Sequence, residues 1–371
     1  MNRNGAFLVR TILLGFLKME TLHSSSISCG SNHSLFIDLD GDVWSCGDNS
    51  NGQIGRANYK YRSNKITTMK DIVSVSGGSN HSSFLDVNGN AYIRGSLRGN
   101  LAGEYKMPDV PTIRYVNSGR SGSLFMIDVD GSVWALGENS NHELGHKHGS
   151  TLTQLDGLPY IQQAIPGQSS YLIDIDGCAW ACGMNEYGKL GLGTEEPHIK
   201  KFTKIEELAG ITDICFARDT TFFLDQEGKI YSAGAKMGPH VIASQKPKLI
   251  TGIPRIKSIA AGSFHLLFID TDNKGWAYGS NSNGQLGIND RKNEVNELVP
   301  IALESAQTIS CGFSHSVVLD GDGIVWSFGS NMYGQLGIGE SSPRFKPEKV
   351  AKLTEIKATG TVRAAKSARK Q

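Results

Sequence analysis

The chain has 371 residues, 39% of them apolar, enough for one large repeat domain or two ordinary domains with a substantial core. Lys and Arg number 37 and Asp and Glu 36, so the formal net charge of +1 argues against a whole-protein field for nucleic acid or membranes. Forty-four glycines against 11 prolines fit many tight turns and exclude a collagen-like composition.

Residues 1–26 precede the first patterned segment. Ala6–Leu17 is mostly apolar, but it is too short, and too interrupted by Arg10, to span a bilayer. It holds Arg and no acid, so a mitochondrial presequence stands beside a packed extension or a true start at Met19. From Ile27 to Gly55 the chain sets out one unit. The apolar runs Leu35–Asp38 and Asp42–Cys46 flank Asp40-Gly41, which predicts a hairpin closed by a two-residue turn.

That unit returns six more times. The copies centre on Gly41, Gly89, Gly131, Gly177, Gly228, Asn273 and Gly323. Three residues earlier stands Asp in every copy, and three later an aromatic: Trp44, Tyr92, Trp134, Trp180, Tyr231, Trp276 and Trp326. Eight residues before the turn stand His33, His81, Ser123, Ser169, Thr220, His265 and His315, at spacings of about 42–51 residues. Strands and turns repeating with a period in the forties predict propeller blades, because one such sheet cannot bury both faces and must stack in a ring. The aromatics are then packing residues between blades.

Each unit supplies three short strands, and a fourth is expected in the linkers Ile66–Met69, Val110–Ile113, Leu152–Leu155, Phe202–Leu208, Leu249–Ile253 and Val299–Leu303. The expected fold is an all-β, seven-bladed β-propeller over residues 27–353, closed by a C-terminal strand, Lys349–Leu353, joining the first blade. Residues 354–371 form a basic tail, a candidate contact for nucleic acid or chromatin.

The six cysteines show no C-x-x-C pair, which excludes zinc-ligand spacing. They alternate with small residues at strand positions, which predicts reduced, structural thiols and an intracellular protein, cytoplasmic or nuclear. Among the candidate sites, the Asp-x-[Asp/Asn/Glu]-Gly turns lack the spaced ligands and closing Glu of a calcium loop. One histidine per blade spreads that residue too widely to hold one metal ion, so hydrogen bonding to turn backbone is expected instead. No metal, cofactor or covalent catalytic constellation is expected.

Cys311–Gly337 reads C-G-F-S-H-S-V-V-L-D-G-D-G-I-V-W-S-F-G-S-N-M-Y-G-Q-L-G, and Cys29–Gly55 and Ala261–Gly287 follow it closely. This pattern resembles the repeat of the regulator of chromosome condensation family. The resemblance covers about residues 27–353 and implies a seven-bladed propeller. It implies a protein-binding scaffold or regulatory module that engages a partner through rim loops. The alternative it carries is a guanine-nucleotide exchange factor for a Ran-like small GTPase.

Function is expected where the repeat breaks its own rule, since packing already explains the consensus positions. Blade two has Arg98 in place of its closing turn, and blade three has Arg120-Ser-Gly-Ser123 in place of G-x-x-H. Blade five has Arg218-Asp219 and then loses its closing turn across Ala235–His240. In the family's exchange factor a G-x-Asp-His loop supplies an acid for nucleotide release. Asp219 holds that place here, and Asn32 and Asn80 hold it in better-matched blades. Asp219, Arg218, Arg120, Arg98, Asn32 and Asn80 are therefore the candidate partner-binding residues, with ordinary repeat decay as the alternative.

Overall fold

Seven four-stranded antiparallel sheets follow one another along the chain in the computed structural model. It describes residues 21–23, 25–55, 61–97, 104–107, 110–147, 149, 151–353, 356 and 361–363. The expectations for residues 1–18, for Arg98 and for most of the basic tail lie outside the described residues. Blade one is built of Ile27–Cys29, His33–Ile37, Val43–Gly47 and Asn64–Lys65, counted from the innermost strand outward. Blades two to seven begin at Ile72, Ile113, Ile161, Ile211, Ile256 and Thr308 and repeat that order. Among the described residues no helix is long and apolar enough to cross a membrane.

The second strand of each blade is buried along its whole length, as in His81–Asp86 and Ser123–Asp128. A sheet covered on both faces needs apolar side chains on both, and the ring provides them. Ile27, Phe36 and Cys46 of blade one pack with Val317, Leu319 and Val325 of blade seven. The other six interfaces repeat this layer.

The hairpin between the second and third strands is not a two-residue turn. In blade one the Asp38 amide donates to the Asp42 carbonyl at 3.0 Å, and the Gly41 amide donates to the Asp38 carbonyl at 3.1 Å. Three residues therefore make the loop, and Gly41 alone takes positive φ, at 78°. This is a tight turn followed by a glycine bulge, and blade six fills the same position with Asn273 at φ 63°. The invariant Asp explains the choice. Its Oδ1 accepts from the Asp40 and Asp42 amides at 3.1 and 2.9 Å, and its Oδ2 accepts from Trp44 Nε1 at 2.7 Å. Blades three, four, six and seven repeat all three bonds, and in blade two Tyr92 uses its hydroxyl. The recurring aromatic thus does two jobs. It flanks the inter-blade layer, half-buried, and it pins the turn.

The histidines are corrected in the same way. His33 Nε2 meets Ser82 Oγ at 2.9 Å, His265 meets Ser316 at 2.9 Å, and His315 meets Ser34 at 3.0 Å. Each bond crosses to the next blade and ends on a side chain rather than on turn backbone. The preceding glycine is needed because a Cβ at Gly312 would lie 2.0 Å from His315 Cε1. Blade three has Leu124 where the serine would stand, and both ring nitrogens of His81 lack a partner.

Ring closure also differs from expectation. Lys349 pairs with Trp326, so Arg344–Lys349 is the outer strand of blade seven and does not enter blade one. Blade one takes its outer strand from its own linker, at Asn64–Lys65. The physical reason is that every blade is contiguous in sequence, with outer strands generally starting earlier than the apolar linker residues suggest, as at Glu104–Lys106 and His198–Lys204. The ends meet elsewhere. Ile356 bridges Asp38, and Thr361–Arg363 pairs with Thr21–His23.

All six cysteines are free, and five are buried. Burial pushes the Cys29 thiol up to about 12, so it stays protonated and unreactive at neutral pH. Asp38, Asp40 and Asp42 cluster, but Asp38 is spent on the turn and Asp42 pairs with Lys65.

Candidate partner-binding face

The turn joining the first and second strands of each blade points to the ring's centre. The closing turn after the third strand lies beside it on the same face, as the bond from Asp48 N to Asn32 O at 2.9 Å shows. In blades one, three, four, six and seven a recurring Asn locks the closing turn: Asn331 Oδ1 accepts from Leu336 N at 3.0 Å, and Asn185 Oδ1 accepts from Leu190 N at 3.1 Å. These positions are spent on their own backbone.

The inner turns of blades six, seven, one and two are tied in sequence. Ser263 N donates to Phe313 O at 3.2 Å, Phe313 N to Ser31 O at 3.0 Å, and Ser31 N to Gly78 O at 2.9 Å. Blade three departs from this order. Its turn is one residue longer, with Gly122 at φ 88°. The extra length sends Arg120 across the central channel, where Nη1 donates to Gly312 O at 3.0 Å and Nη2 to Ala261 O at 2.6 Å. The guanidinium is enclosed, though the residue keeps an edge on the opening, and burial lowers its pKa from the ordinary arginine value.

Above Arg120 lies a depression of about 370 Å³. Phe264 and Phe313 stand on its wall, 44% and 48% exposed, with ring centroids 6.4 Å apart in an edge-on arrangement. The Arg218 guanidinium sits 5.6 Å from the Phe264 centroid. Arg218 holds φ 52°, a left-handed conformation uncommon for a residue with a side chain. Lys189 also reaches the depression. Its ammonium is almost wholly buried, 3.9 Å from Asp219 Oδ1. Burial lowers its pKa, and Asp219 opposes that shift. Arg218 Nε lies 3.5 Å from the other Asp219 oxygen.

Where blade five lacks the closing turn, the surface stays open. A trough of about 550 Å³ shares Arg218 and Phe264 with the depression and runs past Asp219 and Met237. A third hollow of about 470 Å³ joins it at Tyr187 and Ala235.

The structure therefore brings Arg120, Arg218 and Asp219 together. Asn32 and Asn80 share the face without lining the depression, and their carbonyls accept closing-turn amides. Sequence reasoning missed Lys189, Phe264 and Phe313. A signal existed for each. Lys189 replaces Gln in the N-x-x-G-Q-L-G turn, and the two phenylalanines stand where blades one and two carry Ser or Asn.

Comparison with known proteins agrees with this architecture. Models of the regulator of chromosome condensation (RCC1) repeat match residues 25–53, 256–285 and 307–335, and residues 40–85, 176–224, 272–319 and 322–364. The probable E3 ubiquitin-protein ligase HERC4 of Homo sapiens is 28% identical over 298 residues, covering 72% of this chain and 28% of that protein. The protein RCC2 homolog of Xenopus laevis is 23% identical, covering 73% of this chain and 42% of its own. The chain thus spans less than half the length of these relatives. Among solved structures, Prp20p of Saccharomyces cerevisiae superposes with a TM-score of 0.70 at 20% identity, over 79% of this chain and 81% of that one. Human WBSCR16 gives 0.74 at 17% identity, over 85% and 94%. At such identities these two structures speak for the fold alone.

Proposed function

Because the chain belongs to the regulator of chromosome condensation (RCC1) repeat family, we propose that it acts as a protein-binding regulatory module through the face that carries the inner and closing turns. One observation carries this reading. Two aromatic rings stand exposed beside three cations and one carboxylate at the ring's centre, in a fold that buries its other inner-turn apolar groups. Exposed aromatics framed by Arg are the composition of binding hot spots.

The test is proximity labelling in cells with the full chain, the double variant Phe264→Ser/Phe313→Ser, and a control altered on the opposite face, Leu39→Ser/Ile175→Ser. The aromatic variant should lose a defined set of neighbours that the control keeps. Identical neighbour sets for all three proteins would refute the reading.

Nucleotide exchange is the second reading. Prp20p is described by its binding to Gsp1p and histones, and Asp219 is the one carboxylate among the described inner-turn tips here. Release of labelled GDP from Ran-type GTPases should accelerate with the wild type and slow with Asp219→Ala. No acceleration by the wild type removes this reading.

A further inference from the structure

Arg120 shares with Arg114 an enclosed guanidinium bonded only to neutral carbonyls, but Arg114 lies over the Tyr160 ring, whereas Arg120 opens on the depression. Lys189 has Asp219 and Arg94 has Glu104, but among the described residues no carboxylate lies within ion-pair distance of Arg120. Its two bonds go to neutral carbonyls, Gly312 O and Ala261 O. A guanidinium has five N–H donors, and two of them are used. A charge withdrawn from water without a counter-charge is costly, so the site favours an incoming anion.

The surroundings state what kind of anion. Arg120, Lys189 and Arg218 face the same depression, and Asp219 alone offsets them. The planar guanidinium matches a carboxylate. Phe264 and Phe313 flank the opening and offer a seat for an apolar residue beside that carboxylate. The way in is elongated: the depression opens into the trough over blade five, which continues past Tyr187 to the third hollow. A compact small molecule has no use for that length, whereas an extended peptide does. The outer hollow carries Glu186 and Glu195, and in the trough Lys236 is matched by Glu294, so the excess of cationic charge lies at the central end.

We infer that the depression and the trough across blade five bind an extended segment of a protein partner, one Asp or Glu side chain entering to pair with Arg120. This rests on the protein-binding reading above and names the chemistry of the partner. The chain's own ring supplies the cation and the aromatic wall; the partner supplies the missing charge.

The probe is a randomised nine-residue peptide library displayed on phage and selected on the full-length chain, with enriched peptides then synthesised. Enriched sequences should carry an Asp or Glu next to an aromatic or aliphatic residue. Changing that acid to its amide should weaken binding about tenfold or more, the scale of one charge-assisted hydrogen bond. Phe313→Ser and Arg218→Ser, both at exposed positions, should weaken it too, and Arg120→Gln should abolish the difference between acid and amide. Circular dichroism checks that Arg120→Gln still folds; if it does not, Lys189→Met takes its place and should narrow the acid–amide difference. No enrichment, enriched peptides without an acid, or binding only after a peptide serine is phosphorylated would each overturn the inference. Neutral peptides that still compete at Phe313 would sink the acidic partner while leaving the protein-binding reading standing.

Discussion

Replacing Asp174 by Ala removes three hydrogen bonds at once from blade four. Oδ1 accepts from the Asp176 amide at 3.0 Å and the Cys178 amide at 2.8 Å, and Oδ2 accepts from Trp180 Nε1 at 2.9 Å. The carboxylate is 5% exposed, so it is held by these donors rather than by water. Bonds to a charged acceptor contribute about 1.5–3 kcal/mol each. Two of the donors border solvent and regain water when the acid is gone, so the lower end applies to them, and the expected loss is about 4.5–6 kcal/mol. For a chain of this size that corresponds to roughly 6–8 °C in Tm. Asp174→Asn keeps an oxygen for the two amides but turns an NH2 toward the indole N–H, so about 1–2 kcal/mol should go. Urea unfolding followed by far-UV circular dichroism at neutral pH measures both. A loss below about 1 kcal/mol for Ala, or equal losses for Ala and Asn, would refute the claim that this carboxylate holds the turn.

Gly312→Ala should cost more than about 2 kcal/mol, because the new Cβ would lie 2.0 Å from His315 Cε1 and 2.7 Å from the Gly30 carbonyl. Gly321→Ala is the control, with its nearest neighbour 3.8 Å away, and thermal melts of the pair should differ clearly. Acid should destabilise the ring. Burial pulls His33 to about 4 and His81, His265 and His315 to about 3. Depressed values mean that the folded state holds these rings neutral. Their contribution is full above pH 6.5, the unfolded value, and is lost as pH falls toward 4–3. A flat Tm between pH 7.5 and 5 would contradict this. Asp213 acts in the opposite sense. Burial on the innermost strand of blade five raises its carboxyl to about 7, although the residue keeps some exposed surface. The folded state therefore prefers it protonated, and that advantage is full below about pH 4 and lost as pH rises through 7. Asp213→Asn should raise Tm at pH 8 and leave it nearly unchanged at pH 4.5. The four histidines outnumber this one carboxyl, so the wild type still weakens in acid.

Blade number and phase were legible in the sequence because the Asp, Gly and aromatic of each hairpin interact within about six residues. Asp128 and Trp134 find each other through local chain geometry alone. The candidate site was legible in part for the same reason: a longer turn at Arg120 and a lost turn after Gly234 are visible as departures from the repeat. Where the Arg120 side chain ends was not legible. Its acceptors, on Ala261 and Gly312, stand more than a hundred residues away and meet it only across a closed ring. The missing counter-charge could not be read either, since a lone Arg in a turn is ordinarily solvated.

The sequence by itself determined the all-β repeat, its seven copies and the residues of each turn, because those rest on local hydrogen bonds and on strand periodicity. Only the tertiary structure decided which blade each outer strand completes and which serine each buried histidine meets. It alone assembled Lys189, Arg120, Phe264 and Phe313 around one depression. Those outcomes depend on the order in which blades stand around the ring, and residues from six different blades become neighbours only when it closes.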